Sequence, residues 1–192
     1  CISNTNNSQK RHLIPFHYTV SKRSIYFLGL ITLLIFPIPT FIILYWFENI
    51  SPLEILQLSN LSILKLTIGI ELGIVYAFIA LLLIKAPIFE GIPYRIENII
   101  KKMNLNLFDC LFISICAGFG EELLFRSGFQ FYIGPFITSI IFVAIHGYLN
   151  PLNWKLSLYG LVVLPFIFLI SYGYKEFGLW FCIGAHFSYD FV

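Results

Sequence analysis

Residues 107–131 read LFDCLFISICAGFGEELLFRSGFQF, and this stretch decides the fold. It is apolar for most of its length, yet it carries two adjacent carboxylates, Glu121 and Glu122, with Arg126 four residues after the second. An apolar run of about 20 residues crosses a bilayer as a helix. Ionisable side chains inside such a run are costly, so they face a bundle interior and mark function. The stretch predicts a membrane helix whose polar groups turn into protein rather than lipid.

The rest of the chain agrees. Of 192 residues, 58 % are hydrophobic and 11 % charged, and the mean hydropathy is +0.85, outside the range of soluble domains. The fold class expected is all-α, a polytopic membrane bundle of about six transmembrane helices. Working outward, a break at Gly134-Pro135 separates residues 107–131 from a fourth span, 136–149, which Asn150-Pro151 ends. A fifth span covers 154–172, and a sixth runs from near Phe177 to Val192. Upstream lie a span at 24–47, interrupted by Pro37 and Pro39, and one at 61–84. The latter holds Gly69 and Gly73, a small-xxx-small pattern that permits close helix approach. Between them sits Glu71, an acid at mid-depth that reads as lining a site or, preferably, as bonded to a neighbouring helix.

Residues 1–23 form a polar juxtamembrane tail with Lys10, Arg11, Lys22 and Arg23 and no acid; residues 24–192 form a single transmembrane domain with its catalytic core at about 107–192. His12 and His17 in the tail read as solvated. The tail and the connection 85–106, with Lys85, Arg95, Lys101 and Lys102, belong on the cytoplasmic side by their positive charge. The net charge of +2 is too small and dispersed for nucleic-acid binding. Cys110, Cys116 and Cys182 lie in apolar stretches and match no zinc or disulfide pattern. The chain starts at Cys1 rather than Met, which reads as a fragment or a processed product, a lipid-modified cysteine being one form of the latter.

Residues i and i+4 share a helix face, whereas neighbours point about 100° apart. Glu122 and Arg126 are therefore expected to pair, leaving Glu121 free of the arginine as a candidate general base. His146, at the end of Phe142-Val143-Ala144-Ile145-His146, is placed to hold the same water from another side. His186 and Asp190 are again i, i+4, and a histidine N–H there would stabilise an oxyanion. At about 1.5 Å per residue, Glu121, His146 and His186 all reach similar depths in their spans. This set suits amide hydrolysis by activated water. No G-x-S-x-G elbow is present, and neither Ser127 nor Ser188 has an evident base, which argues against serine catalysis.

Three motifs in order carry a family resemblance. Glu121-Glu122-Leu123-Leu124-Phe125-Arg126 resembles the E-E-x3-R motif of the CPBP intramembrane proteases, the group of CAAX prenyl endopeptidases and bacteriocin-processing relatives. Phe142 to His146 resembles its F-x3-H motif, and His186 to Asp190 its H-x3-N/D motif. The resemblance implies an all-helical bundle with a cavity open to the cytoplasm or laterally to lipid. It implies that Glu121 and His146 activate water, that His186 and Asp190 assist the oxyanion, and that Glu122 and Arg126 support them. Ser127 stands where the family often has Gly. Asp190 stands where prenyl-processing members have Asn, and an Asp donates a hydrogen bond only when protonated, so a histidine-orienting or metal-ligand role gains weight.

A metal-free glutamate mechanism is favoured. The alternative is Zn2+ held by Glu121, His146 and His186, since catalytic zinc takes three protein ligands and a water. The function expected is an intramembrane endopeptidase that processes a membrane-associated peptide or protein at a C-terminal or leader segment. Two other classes compete: a non-catalytic scaffold or bacteriocin-immunity protein of the same fold, and a proton-coupled carrier, against which small size and the lack of repeats argue. The partners expected are the lipid bilayer and that substrate, with no nucleic acid. The abundance of Ile, Phe, Asn and Lys suggests an AT-rich bacterial genome and an integral, multi-pass protein of the bacterial inner membrane.

Overall fold

The computed structural model describes residues 21–89, 103–151 and 154–192, apart from the side chain of Lys155. Residues 1–20 and 90–102, with Cys1, Lys10, Arg11, His12, His17, Arg95, Lys101 and Lys102, lie outside the described residues. Among the described residues every regular element is helical.

Helix α1 (Lys22–Leu34) starts where the Ser21 hydroxyl accepts from the Ser24 N–H. It gives way to α2 (Pro37–Phe47) after a two-residue break at Ile35 and Phe36. The cause is Pro37, which has no N–H to continue the ladder but suits the first turn of a new helix. A short helix α3 (Pro52–Ile55) then turns the chain, fixed by a capping box in which Ser51 and Glu54 satisfy each other's backbone N–H groups. Helix α4 (Ile63–Leu83) follows. Helix α5 (Leu107–Glu122) begins with a second capping box, Asn106 with Asp109. It runs into a π-helical segment, Leu123–Phe129, and then α6 (Gln130–Ile145), α7 (Trp154–Phe177) and α8 (Leu179–Phe191).

Four stretches are long and apolar enough to cross a membrane: Lys22–Phe47, Ile63–Leu83, Leu107–Ile145 and Leu156–Phe177. The expected polytopic helical bundle is present, with the third and fourth expected spans joined in Leu107–Ile145 and several bounds shifted. The break at Gly134-Pro135 is real, because Gly134 has φ 74° and ψ 169° inside α6. The chain doubles back there: His146 Nε2 lies 3.3 Å from Glu121 Oε2, whereas an unbroken helix would hold them about 37 Å apart. The returning leg ends at Ile145, not at Leu149, because Gly147 takes φ 76° and terminates it in the left-handed conformation that suits glycine. Helix α7 runs on to Phe177 rather than stopping at Tyr172. Helix α8 begins after Gly178 and runs to Phe191.

Side-chain pairings give the directions. Helices α1 and α5 run parallel: the Lys22 ammonium meets Asp109 at 2.6 Å, Gly29 abuts Phe112 and Cys116, and Gly120 abuts Thr32. Helices α4 and α8 are also parallel, with Gly69 against Phe181 and Gly73 against Ala185. The Ser188 hydroxyl donates to the Ile70 carbonyl at 2.9 Å. The glycine pair thus does what its spacing implied, letting two backbones touch where lipid offers no hydrophobic drive for association. It also fixes a depth: His186, next to Ala185, is level with Gly73, halfway along α4.

The outer surface is apolar. Phe27, Trp46, Ile63, Leu82 and Phe131 are exposed, as a lipid-facing surface requires. Inside, Phe125, Phe142, Val143, Phe166, Ile167 and Ala185 form a buried cluster with neighbours from α7 and α8, and the polar centre is set into it.

Candidate active site

Glu121 and Glu122 end α5, and the helical turn sends them opposite ways. Glu122 is wholly buried and faces Arg126, also wholly buried, with Arg126 Nε 2.8 Å from Glu122 Oε2. The π-helical turn between them widens the spacing around Arg126, a device that helices use to re-aim a side chain at functional sites. The other Glu122 oxygen lies 2.8 Å from His186 Nδ1. A charged carboxylate accepts only, so this contact puts a proton on Nδ1. The sequence predicted the Glu122–Arg126 pair but not the link from Glu122 to His186, which binds the first motif to the third.

On the other side, Glu121 meets His146. His146 is the residue at which α6 stops, and its Nδ1 donates to the Phe142 carbonyl at 2.7 Å. Since a carbonyl cannot donate, the Nδ1 site carries hydrogen and Nε2 is left facing Glu121 Oε2 at 3.3 Å. That Glu121 oxygen is buried and makes no hydrogen bond among the described residues. Neutral Nε2 and a carboxylate oxygen are both acceptors. The pair is therefore built to share one proton or to grip the hydrogens of a water between them.

His186 Nε2 lies 3.3 Å from Asp190 Oδ2, the expected i, i+4 contact. Both nitrogens of His186 thus face carboxylates, and Asp190 orients its ring from the cavity side. Phe142 joins the three motifs. Its ring lies 4.4 Å from His146 and 5.6 Å from His186, with the Arg126 guanidinium carbon 5.2 Å from its centroid. Motif spacing gave Phe142 no such role. The serines stand aside: Ser188 bonds backbone carbonyls, and Ser127 approaches Tyr174.

These groups open on a cavity of about 250 Å³ whose lining includes Glu121, His146, His186, Asp190, Tyr148 and Tyr189. Tyr148, Tyr159, Tyr189 and Asp190 also line an adjoining groove of about 330 Å³ that continues along Ala77, Ala80 and Ile84 of α4 and Val192. The cavity therefore opens toward the C-terminal end of α4, from which the basic connection departs. The sequence analysis gave the three tyrosines no role at the site. Their signal was adjacency, since Tyr148 follows His146 by two residues and Tyr189 precedes Asp190.

Glu71 lines no part of this cavity. Its side chain is exposed on α4 and has no hydrogen-bond or ionic partner among the described residues, so the expected bond to a neighbouring helix is not formed. Of the residues named for the zinc alternative, His186 has Nδ1 held by Glu122 and Nε2 turned toward Asp190 at 3.3 Å. No three His, Cys, Asp or Glu side chains among the described residues converge as ligands.

Fold and site together define a polytopic membrane protein with a glutamate–histidine centre inside its bundle. A family comparison narrows the class: residues 103–192, which hold all three motifs, match the model for type II CAAX prenyl endopeptidase Rce1-like proteins. No curated protein and no solved structure gives a match.

Proposed function

We propose that the protein is an intramembrane endopeptidase that hydrolyses a peptide bond of a membrane-associated substrate with water activated by Glu121 and His146. The observation that carries this reading is the buried Glu121 oxygen, without a hydrogen bond among the described residues, facing His146 Nε2 at 3.3 Å on the wall of the cavity. A water held there loses a proton to Glu121 as its oxygen attacks the scissile carbonyl carbon. The carbonyl oxygen becomes an oxyanion, which takes the Nε2–H of His186 in place of Asp190 while Glu122 holds Nδ1. The intermediate collapses, the C–N bond breaks, and Glu121 returns the proton to the leaving amine. Glu122 and Arg126 keep charge fixed behind the site. No step here uses a metal.

The cavity's opening toward the basic connection supports access from the cytoplasmic face. A bacterial inner membrane remains the proposed location, and a C-terminal or leader segment the proposed substrate.

The test is cleavage of a membrane-tethered peptide library by purified protein, wild type against Glu121→Gln, with metal content measured on the same samples. The reading expects a loss of about 10²- to 10⁴-fold in the variant. Equal cleavage by both would remove Glu121 from the mechanism, and zinc that is bound by wild type and lost in the variant would replace the metal-free step. A folded wild type that cleaves nothing while Glu121→Gln keeps its cellular role would favour the scaffold.

A further inference from the structure

The cavity at Glu121 and His146 shares three tyrosines and Asp190 with the adjoining groove, which runs along α4 from Ala77 to Ile84. Seven residues of helix span about 10 Å, the reach of about three residues of extended chain. Charge along this path is one-sided. Cavity and groove present the carboxylates of Glu121 and Asp190 and the imidazoles of His146 and His186, with no Lys or Arg among the described lining residues. Arg126 is buried behind them on Glu122. Lys85, the residue after Ile84, is exposed and lines neither space. Glu121 is paired with His146. Asp190 faces His186 Nε2 at 3.3 Å, and its side chain is 35 % exposed. Once an oxyanion takes that Nε2–H, the Asp190 carboxylate loses its partner, and a carboxylate in apolar surroundings without a counter-charge is costly.

Resting on the hydrolysis reading, we propose that the groove is a subsite for a basic side chain, Lys or Arg, within about three residues of the scissile bond, and that Asp190 selects it. As the oxyanion draws the His186 Nε2–H away, the substrate's ammonium or guanidinium takes its place on the Asp190 carboxylate. A hydrogen bond between two charged groups is stronger than one between neutral groups. The tyrosines complete the subsite. Tyr148 and Tyr159 pack edge to face with centroids 5.2 Å apart, and ring faces and hydroxyl oxygens both receive a cation. The methylene stem of a basic side chain packs on apolar surface, which the groove supplies at Ala77 and Ala80. Location agrees with this chemistry. The groove opens at the C-terminal end of α4, toward the basic connection. Membrane-anchored substrates carry their own Lys and Arg on the same cytoplasmic flank, so a substrate held by its own span brings basic residues to this level.

The first readout is binding, which needs no cleavage. The full chain carrying Glu121→Gln is held in maltoside micelles, whose headgroups are uncharged. The probes are fluorescent peptides with an apolar span of about 20 residues and a flank that holds Lys, norleucine or Glu. The Lys peptide should bind about tenfold more tightly than the norleucine peptide, and the Glu peptide most weakly. Asp190→Asn keeps an oxygen for His186 and removes the charge, so it should cut the Lys preference below about threefold. Leu81→Lys sets a cation on the groove wall at a side chain 45 % exposed; it should do the same and strengthen binding of the Glu peptide. In the second readout, kcat/KM of wild type on cleaved peptides should rank Lys above norleucine. Equal binding of the Lys and norleucine peptides, or a preference unmoved by Asp190→Asn, would overturn the proposal. So would loss of the preference on adding phosphatidylcholine, since the bound cation would then be a lipid headgroup. A Lys preference without cleavage of any peptide would instead strike the hydrolysis reading and leave the cation subsite standing.

Discussion

Replacing Arg126 with Met should destabilise the bundle by about 3 kcal/mol. Arg126 and Glu122 have no exposed surface and stand 2.8 Å apart. Removing one member of a buried ion pair strands the other charge, a loss of roughly 3–5 kcal/mol. Two features place this case at the lower end. Glu122 keeps a second partner in His186 at 2.8 Å, and Met fills most of the space that the arginine leaves. The assay is equilibrium unfolding in mixed micelles, followed by far-ultraviolet circular dichroism. Adding Glu122→Gln to Arg126→Met should cost less than the sum of the two single changes by about 2 kcal/mol, because the second change removes the stranded charge. Lys22→Met supplies the contrast. Its side chain is 40 % exposed, and Asp109 retains Tyr26 and the Asn106 N–H, so the loss should stay below about 1 kcal/mol. If Arg126→Met costs no more than Lys22→Met, the argument that Glu122 and Arg126 form a buried charged support fails.

Three further outcomes are expected. Gly73→Val should destabilise by about 3 kcal/mol or prevent insertion, since even a Cβ at Gly73 would overlap the Ala185 carbonyl and the Ser188 hydroxyl; a stable variant of normal mobility in unfolding gels would contradict the α4–α8 contact. Asp190→Asn should hold cleavage within about tenfold of wild type, while Asp190→Leu should lower it by about 10²-fold; a kcat comparison separates a hydrogen-bonding role from a charge requirement. The third concerns pH, outside the spans. The Ser51 hydroxyl and N–H both bond the Glu54 carboxylate and hold it below the ordinary value of 4.5. Because the folded value is depressed, its stabilising contribution is present above the unfolded value and is lost as pH falls through the folded one. In Ser51→Ala the Glu54 titration observed by NMR should move up toward 4.5; an unmoved titration would refute the cap.

Much of this was legible in the sequence because membrane burial writes itself in composition. The apolar runs located the spans, and Pro37 and Gly134-Pro135 placed two breaks, since one residue type lacks a donor and the other tolerates positive φ. The i, i+4 spacings gave Glu122–Arg126 and His186–Asp190, and the leftover face gave Glu121. What spacing could not give was contact between helices. The Glu122–His186 bond, the hub at Phe142 and the tyrosines of the cavity join residues from different elements, and no periodicity records them. The returning leg of α6 was drawn too long for a related reason: Gly147, in a left-handed turn, ends it before the Asn150-Pro151 pair can. Glu71 was misjudged because hydropathy marks an acid as buried in a span without saying whether protein or lipid lies beside it.

The most direct test of the central claim is a single turnover in ¹⁸O-labelled water with any peptide that the library experiment shows to be cleaved. Both the new carboxyl terminus and the peptide that contains Glu121 would be analysed by mass spectrometry. If Glu121 and His146 activate water, the label enters the product carboxylate in the first turnover and Glu121 stays unlabelled. Label in Glu121, with an unlabelled first-turnover product, would show that the carboxylate attacks the substrate itself, and the water-activation account would be wrong.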